Sequence, residues 1–134
     1  MGGKAEKGMT GITPLLQVGS IPDTIDYYLQ VLGFSLDYVV PVDAPPKWAM
    51  VSREGVHFMF TIDLGTSTGW FIAEKGNGVV FYVTTDDIEG LYAEFVERDA
   101  IIVQNMRTFG GRKQFSIADP NAYVIAFTEP LLNS

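Results

Sequence analysis

The stretch Phe109-Gly110-Gly111-Arg112-Lys113-Gln114-Phe115-Ser116-Ile117-Ala118-Asp119-Pro120-Asn121 carries the densest information in this chain. Gly110-Gly111 marks a turn between strands, because glycine reaches the left-handed dihedrals that tight turns need. Arg107, Arg112 and Lys113 flank it and read as solvated hairpin charges. Gln114–Ala118 is the strand that leaves the turn, and Tyr123–Thr128 is the last strand. Between them Asp119-Pro120-Asn121-Ala122 is a second turn, with Asp119 a turn former rather than a catalyst. Asn121 tolerates left-handed dihedrals and is expected to hold that turn.

Outward from this stretch, the chain reads as two similar halves. Ile12–Val18 is a short apolar strand. Ser20-Ile21-Pro22-Asp23 is a helix start, with a Ser cap, Pro in the first turn and an acid behind it. Ile25, Tyr28, Leu29 and Leu32 then fall at i, i+3, i+4 and i+7, one apolar helical face, and Gly33 ends the helix. Strand-like runs follow at Phe34–Val40, Trp48–Ser52 and Val56–Ile62, with Arg53-Glu54-Gly55 as the hairpin between the last two. A Gly-, Ser- and Thr-containing stretch leads to the second half. There Val79–Thr85 is a strand, Asp86 a cap with Glu89 three residues on, and Ile88, Leu91, Tyr92 and Phe95 repeat the helical face. Strands at Ile101–Gln104, Gln114–Ala118 and Tyr123–Thr128 complete a second βαβββ unit. One such unit cannot bury its sheet alone, so the duplication predicts an α+β fold in which two modules close a cavity. The expected organisation is a frayed arm over 1–11 and one domain over 12–130. Its modules span about 12–63 and 78–130, with a linker over 64–77.

Composition narrows the function. The 134 residues suit a single domain with a sizeable core, 47% of them being apolar. No apolar run approaches the roughly 18 residues of a membrane span, and the start of the chain lacks the apolar segment of a signal peptide, which suggests a cytoplasmic protein. The chain has no Cys, which excludes disulfides and thiolate sites. Its net charge is −7 with nine Lys plus Arg and no basic cluster, so nucleic acid is not an expected partner. The acidity reads as solubility or as attraction for a cationic ligand. No nucleophile elbow, phosphate loop or pair of inward carboxylates is visible.

Taken in order, these pieces resemble the vicinal oxygen chelate superfamily of glyoxalases, bleomycin-resistance proteins and extradiol dioxygenases. The resemblance rests on Leu15-Leu16-Gln17-Val18, on Ile25-Asp26-Tyr27-Tyr28 with Leu32-Gly33-Phe34, and on Gly78–Val83 with Asp87–Tyr92. It rests most on the Gly-x-Arg-x-x-Phe and Asp-Pro ending. It covers Ile12 to Pro130 and is nearest to the bleomycin-resistance branch. It implies two βαβββ modules lining a U-shaped half-barrel cavity, a homodimer with ligand crevices between protomers, and in many members a metal site of His and Glu. The family's usual Gly in the second turn is replaced here, around Asn121-Ala122.

By that resemblance the four metal-ligand slots fall on Thr13, Met59, Val80 and Ala126. The first and third, and the second and fourth, are each separated by 67 residues. None is a good donor for a divalent ion: Zn, Ni and Fe favour imidazole, carboxylate or thiolate, and Mg and Mn favour carboxylate oxygen. No metal and no cofactor are expected. If the slots face inward, strand alternation adds Leu15, Gln17, His57, Thr61, Tyr82, Thr84, Val124 and Thr128, with Trp48 and Met50 beside them across the hairpin. Val56, Phe58, Phe60, Phe81, Val83, Ile125 and Phe127 then form core.

The candidate ligand-binding residues are Trp48, Met50, His57, Met59, Trp70, Phe71, Tyr82 and Arg112. Trp48 is a stacking wall or ordinary cross-strand packing. Trp70-Phe71, in a Gly- and Ser-flanked stretch, is a ligand lid or dimer contact, or a satellite core. Met50 and Met59 offer an adaptable apolar surface or fill core. His57, the single His, is a structural hydrogen-bonding residue, a ligand contact or a general base. It has no expected carboxylate to orient it and is a weak catalyst candidate. The favoured expectation is a metal-free protein that sequesters an aromatic or cationic small molecule. The rival is an enzyme of the superfamily, with misaligned metal ligands or working without metal through His57 or a Tyr.

Overall fold

The computed structural model describes residues 8–62 and 78–130. Most of the expected arm, the expected linker, and with it Trp70 and Phe71, lie outside the described residues. The first module runs β1 (Leu15–Gln17), α1 (Ile21–Asp26), a π-helical turn (Tyr27–Val31), β2 (Ser35–Val40), β3 (Trp48–Arg53) and β4 (Val56–Thr61). The second runs β5 (Val80–Thr84), α2 (Ile88–Glu97), β6 (Ile101–Phe109), β7 (Arg112–Ala118) and β8 (Val124–Thr128). Each makes an open four-stranded sheet, in the orders β1-β4-β3-β2 and β5-β8-β7-β6. The two βαβββ modules of the sequence are therefore present, with no closed barrel.

The duplication extends to register. Leu15 pairs with Met59 and Gln17 with Thr61; Tyr82 pairs with Ala126 and Thr84 with Thr128. A shift of 67 residues carries each first-module pair onto its counterpart.

Local chemistry accounts for the helices. The Ser20 hydroxyl accepts from the Asp23 amide at 3.2 Å, satisfying one of the free N–H groups of the first turn. The periodic helix expected through Leu32 widens after Asp26, where Leu32 N–H bonds to the Tyr27 carbonyl five residues back. The widening leaves Tyr28 and Leu32 fully buried and Leu29 only partly so. In the second module the cap is Asp87 rather than Asp86: its carboxylate accepts from the Gly90 amide at 3.1 Å, and its own amide bonds to the Thr85 hydroxyl. Glu89 closes no capping box and instead forms an ion pair with Lys113.

Two turns differ from expectation. Gly110 and Gly111 have φ of 63° and 81°, so the strands pair right up to the turn, at Phe109 opposite Arg112. Arg107, Phe109 and Arg112 are thus strand residues, and β6 is five residues longer than its apolar start suggests. At the Asp119 turn the left-handed residue is Ala122, φ 71°, and not Asn121. Asn121 is instead a tie between the modules: its side chain accepts from the Gly19 amide and donates to the Thr24 hydroxyl, both at 3.0 Å.

One hydrophobic cluster serves both sheets. Leu16, Ala49, Val51, Phe58 and Phe60 from the first join Phe115, Ile117, Ile125 and Phe127 from the second around Tyr28, Leu32, Ile88 and Phe95. The rings of Phe58 and Phe81 bridge the modules at 5.8 Å. Polar ties reinforce this contact. The Tyr28 hydroxyl donates to Asp119 at 2.9 Å, the Tyr27 hydroxyl to the Ala118 carbonyl at 2.9 Å, and the Tyr123 hydroxyl to the Gln17 carbonyl at 2.9 Å. The Arg53 guanidinium grips both oxygens of Glu94 at 3.0 Å and donates to the Leu32 carbonyl at 2.7 Å.

Two stability outcomes follow from these contacts. Ala122→Gly should stabilise the protein by about 0.5–1 kcal/mol in urea unfolding, since it removes the Cβ clash of a left-handed residue at an exposed site. The hydrogen bonds from Arg53 hold the Glu94 carboxyl below its ordinary range. The pair's contribution is therefore present above the unfolded carboxylate value, about 4.3, and is lost as pH falls through the lowered folded value. Glu94→Gln should cost about 1–2 kcal/mol at pH 7, and the gap to wild type in urea midpoints should close as pH falls from 5 towards 3.

Candidate functional site

Pleat geometry assigns the second face of each sheet. Since Phe58 and Phe60 point into the shared core, His57, Met59 and Thr61 point the other way, and pairing puts Ser52, Met50 and Trp48 opposite them. On β2, Tyr38 and Val40 join them, opposite Met50 and Trp48. The result is an apolar outer surface: Trp48, Met50 and Met59 are half-buried, and Tyr38 is 61% exposed. The second sheet behaves alike. With Phe115, Ile117, Ile125 and Phe127 in the core, Tyr82, Gln114, Ser116, Arg107, Phe109 and Arg112 lie on its outer face. Tyr82 is 60% and Phe109 58% exposed.

The expected site residues thus separate into two groups. Trp48, Met50, His57 and Met59 are brought together on the first sheet, and Tyr82 and Arg112 share the second. His57 is exposed, and its Nδ1 lies 3.2 Å from the Gly55 carbonyl. No carboxylate pairs with it among the described residues, so the Gly55 carbonyl is the partner recorded for the ring.

A hollow of about 320 Å³ sits on the outer face of the second sheet, lined by Val80, Tyr82, Val103, Gln104, Arg107, Phe109, Gln114, Ser116 and Val124. Sequence reasoning missed Val103, Gln104, Arg107, Phe109, Gln114 and Ser116 as lining. The signal was present in Gly110-Gly111, since a two-residue turn extends the strands on both sides of it. The Arg107 guanidinium lies 5.8 Å from the Phe109 ring centroid, and the amides of Gln114 and Gln104 meet at 3.4 Å.

A larger groove, about 620 Å³, opens between the modules beside Arg53, Glu94, Phe34, Leu91, Phe95 and Asp86. Its one guanidinium is already saturated by Glu94 and the Leu32 carbonyl, so it offers a ligand less than the smaller hollow does.

The four metal-ligand slots do not suit a metal. Thr13 is exposed outside β1, Met59 offers a soft thioether, and Val80 and Ala126 carry no donor atom. Among the described residues no group of three or more His, Cys, Asp or Glu could hold an ion. None of the described helices is long and apolar enough to cross a membrane.

Residues 11–127 match the family model of the glyoxalase/bleomycin resistance protein/dioxygenase superfamily, and the chain belongs to that superfamily. Solved structures agree on the fold. TioX from Micromonospora sp. ML1 superposes with a TM-score of 0.75 at 19% identity, over 92% of this chain and 100% of that one. TnmS3, an antibiotic-binding protein from Streptomyces sp. CB03234, gives 0.68 at 19% identity over 92% and 98%. The bleomycin-binding protein of bleomycin-producing Streptomyces verticillus, solved with copper(II)-bleomycin, gives 0.68 at 15% identity over 92% and 98%. No curated protein matches the sequence.

Elemental analysis of protein grown with Zn, Ni, Mn and Fe should find well under one equivalent of metal per chain, and His57→Ala should leave that value unchanged.

Proposed function

We propose that this protein binds a planar aromatic small molecule without transforming it, as a sequestering protein of the bleomycin-resistance type. The observation that carries the reading is the composition of the outer faces. Aromatic and thioether side chains stand in rows where a solvated sheet would carry polar ones, and among the described residues no carboxylate pairs with the one histidine beside them. Trp48 is the wall against which a ring stacks, with Met50 and Met59 adapting to its outline.

The same surfaces argue for a homodimer. Leu15, Tyr38, Val40, Val80, Tyr82 and Phe109 are all at least 41% exposed on or beside these faces, and contiguous apolar surface of this kind marks an interaction site. Two copies, each setting the first sheet of one chain against the second sheet of the other, would cover it and enclose a crevice between Trp48 and Tyr82. Names of similar proteins support the class of ligand: one is called antibiotic-binding and another bleomycin-binding.

The test joins assembly to binding. Sedimentation equilibrium at tens of micromolar should return twice the 14.8 kDa chain mass. Calorimetric titration of bleomycin and a panel of planar aromatic compounds should find at least one ligand. For that ligand Trp48→Ala should lose about 2 kcal/mol, roughly thirtyfold in affinity. A monomer that binds nothing, or affinity unchanged by Trp48→Ala, would remove this reading.

A further inference from the structure

We infer that the second-module hollow selects aromatic acids: the rings of the ligand lie against Tyr82 and Phe109, and its carboxylate or phenolate is held by Arg107, which lines the hollow, with Arg112 outside the lining on the same sheet face. The inference rests on the binding reading above and gives it a sign of charge.

The first observation is a segregation of charge. The chain carries 16 Asp plus Glu, yet none falls in β5, β6, β7 or β8, whose charged residues are Arg107, Arg112 and Lys113 alone. In the first sheet the one strand acid is Asp37, the extra residue of a β-bulge between Leu36 and Tyr38. The strands thus carry a net +3, from Arg53, Arg107, Arg112 and Lys113 against Asp37, and the acidity lies in the rest of the chain. A ligand in the hollow meets the nearest guanidinium first, because charges beyond about 8 Å are largely screened at physiological salt.

The second observation is which cations are already paired. Of the four arginines, Arg53 and Arg98 each hold a glutamate. Lys113, on the core side of β7, forms an ion pair with Glu89. Among the described residues Arg107 and Arg112 have no carboxylate within ion-pair reach, although they belong to the same hairpin as Lys113. The protein thus supplies partners on one side of this hairpin and withholds them on the other.

The third observation is geometric. Arg107 stands opposite Gln114 and Phe109 opposite Arg112, so the two guanidiniums are diagonal neighbours on one face. The Arg107 guanidinium carbon lies over the Phe109 ring, 5.8 Å from its centroid, and the guanidinium is planar by resonance. A planar fork of this kind matches a carboxylate through two parallel hydrogen bonds. Buried Gln114 and Ser116 supply neutral polar groups on the same hollow. A volume of about 320 Å³ is at the lower end for small-molecule sites, enough for a few fused rings.

This face disfavours the cationic ligand that the overall acidity suggested. The experiment uses two probes with one ring system and opposite charge, anthracene-2-carboxylate and anthracen-2-ylmethylammonium, titrated by fluorescence and calorimetry. Wild type should bind the carboxylate at least about tenfold more tightly, a difference of roughly 1.4 kcal/mol, and that affinity should fall as salt rises from 50 to 500 mM. Arg107→Gln with Arg112→Gln should abolish the preference while retaining ring binding and the wild-type melting temperature. Lys113→Gln, which removes a cation from the core side, should keep the preference. Equal or tighter binding of the ammonium by wild type overturns the charge selectivity and leaves ring stacking standing. A carboxylate preference that survives the double variant overturns the assignment to these arginines. Binding of neither probe overturns this inference, while the binding reading falls only if bleomycin and the wider panel of planar aromatic compounds also fail to bind.

Discussion

The hydrogen bond from the Tyr28 hydroxyl to Asp119, with the rings packed behind it, is the contact on which the arrangement of the molecule depends. Tyr28 is fully buried and meets Tyr27, Phe34, Phe58 and Phe60. Its partner oxygen belongs to a carboxylate whose other oxygen accepts from the Asn121 and Tyr123 amides, which shapes the turn before β8. One bond thus joins the helix of the first module to the last hairpin of the second. Burial raises the carboxyl of Asp119 and, with the charge beside it, the phenol of Tyr28. Three donors, the Tyr28 hydroxyl and the Asn121 and Tyr123 amides, work against that rise at Asp119. Once the helix-facing sides of the sheets meet around Tyr28, every second strand residue is committed to that core. The alternate residues must face outward.

That geometry explains how much of the molecule could be read in advance. The two βαβββ units, both helical faces and the sorting of Phe58 against Met59 follow from periodicity, because side-chain direction in strand and helix is a local property. Less could be seen where neighbours decide. The π-helical widening at Tyr27 depends on two adjacent tyrosines both finding partners across the module boundary. Ala122, a residue with no preference for left-handed backbone, adopts it because Asp119 pulls in the amides on either side of it. The β6 residues at the hollow escaped notice for a simpler reason: the strand leaves its apolar start for Gln104, Asn105 and Arg107, which taken alone look like a loop, and without that strand opposite them Gln114 and Ser116 had no partner to mark their face.

The placement of charge adds a level that composition could not reach. A count of −7 treats the molecule as one body, whereas the fold distributes acids to α2, to turns and to the Arg53 and Lys113 ion pairs. Lys113 and Arg112 are adjacent in sequence and have opposite surroundings, since alternation sends one towards Glu89 and the other to the outer face.

Each strand is in effect a two-sided tape, with cohesion written on one side and an outward-facing surface on the other. The 67-residue echo between Leu15–Met59 and Tyr82–Ala126 shows that both tapes keep one reading frame. Drift on the outward side leaves the cohesive side untouched. A gene library randomised only at His57, Met59 and Arg112, which face outward and are not buried, would therefore lose little folded product, and the same number of changes moved to Phe58, Phe60 and Phe115 would yield mostly unfolded chains.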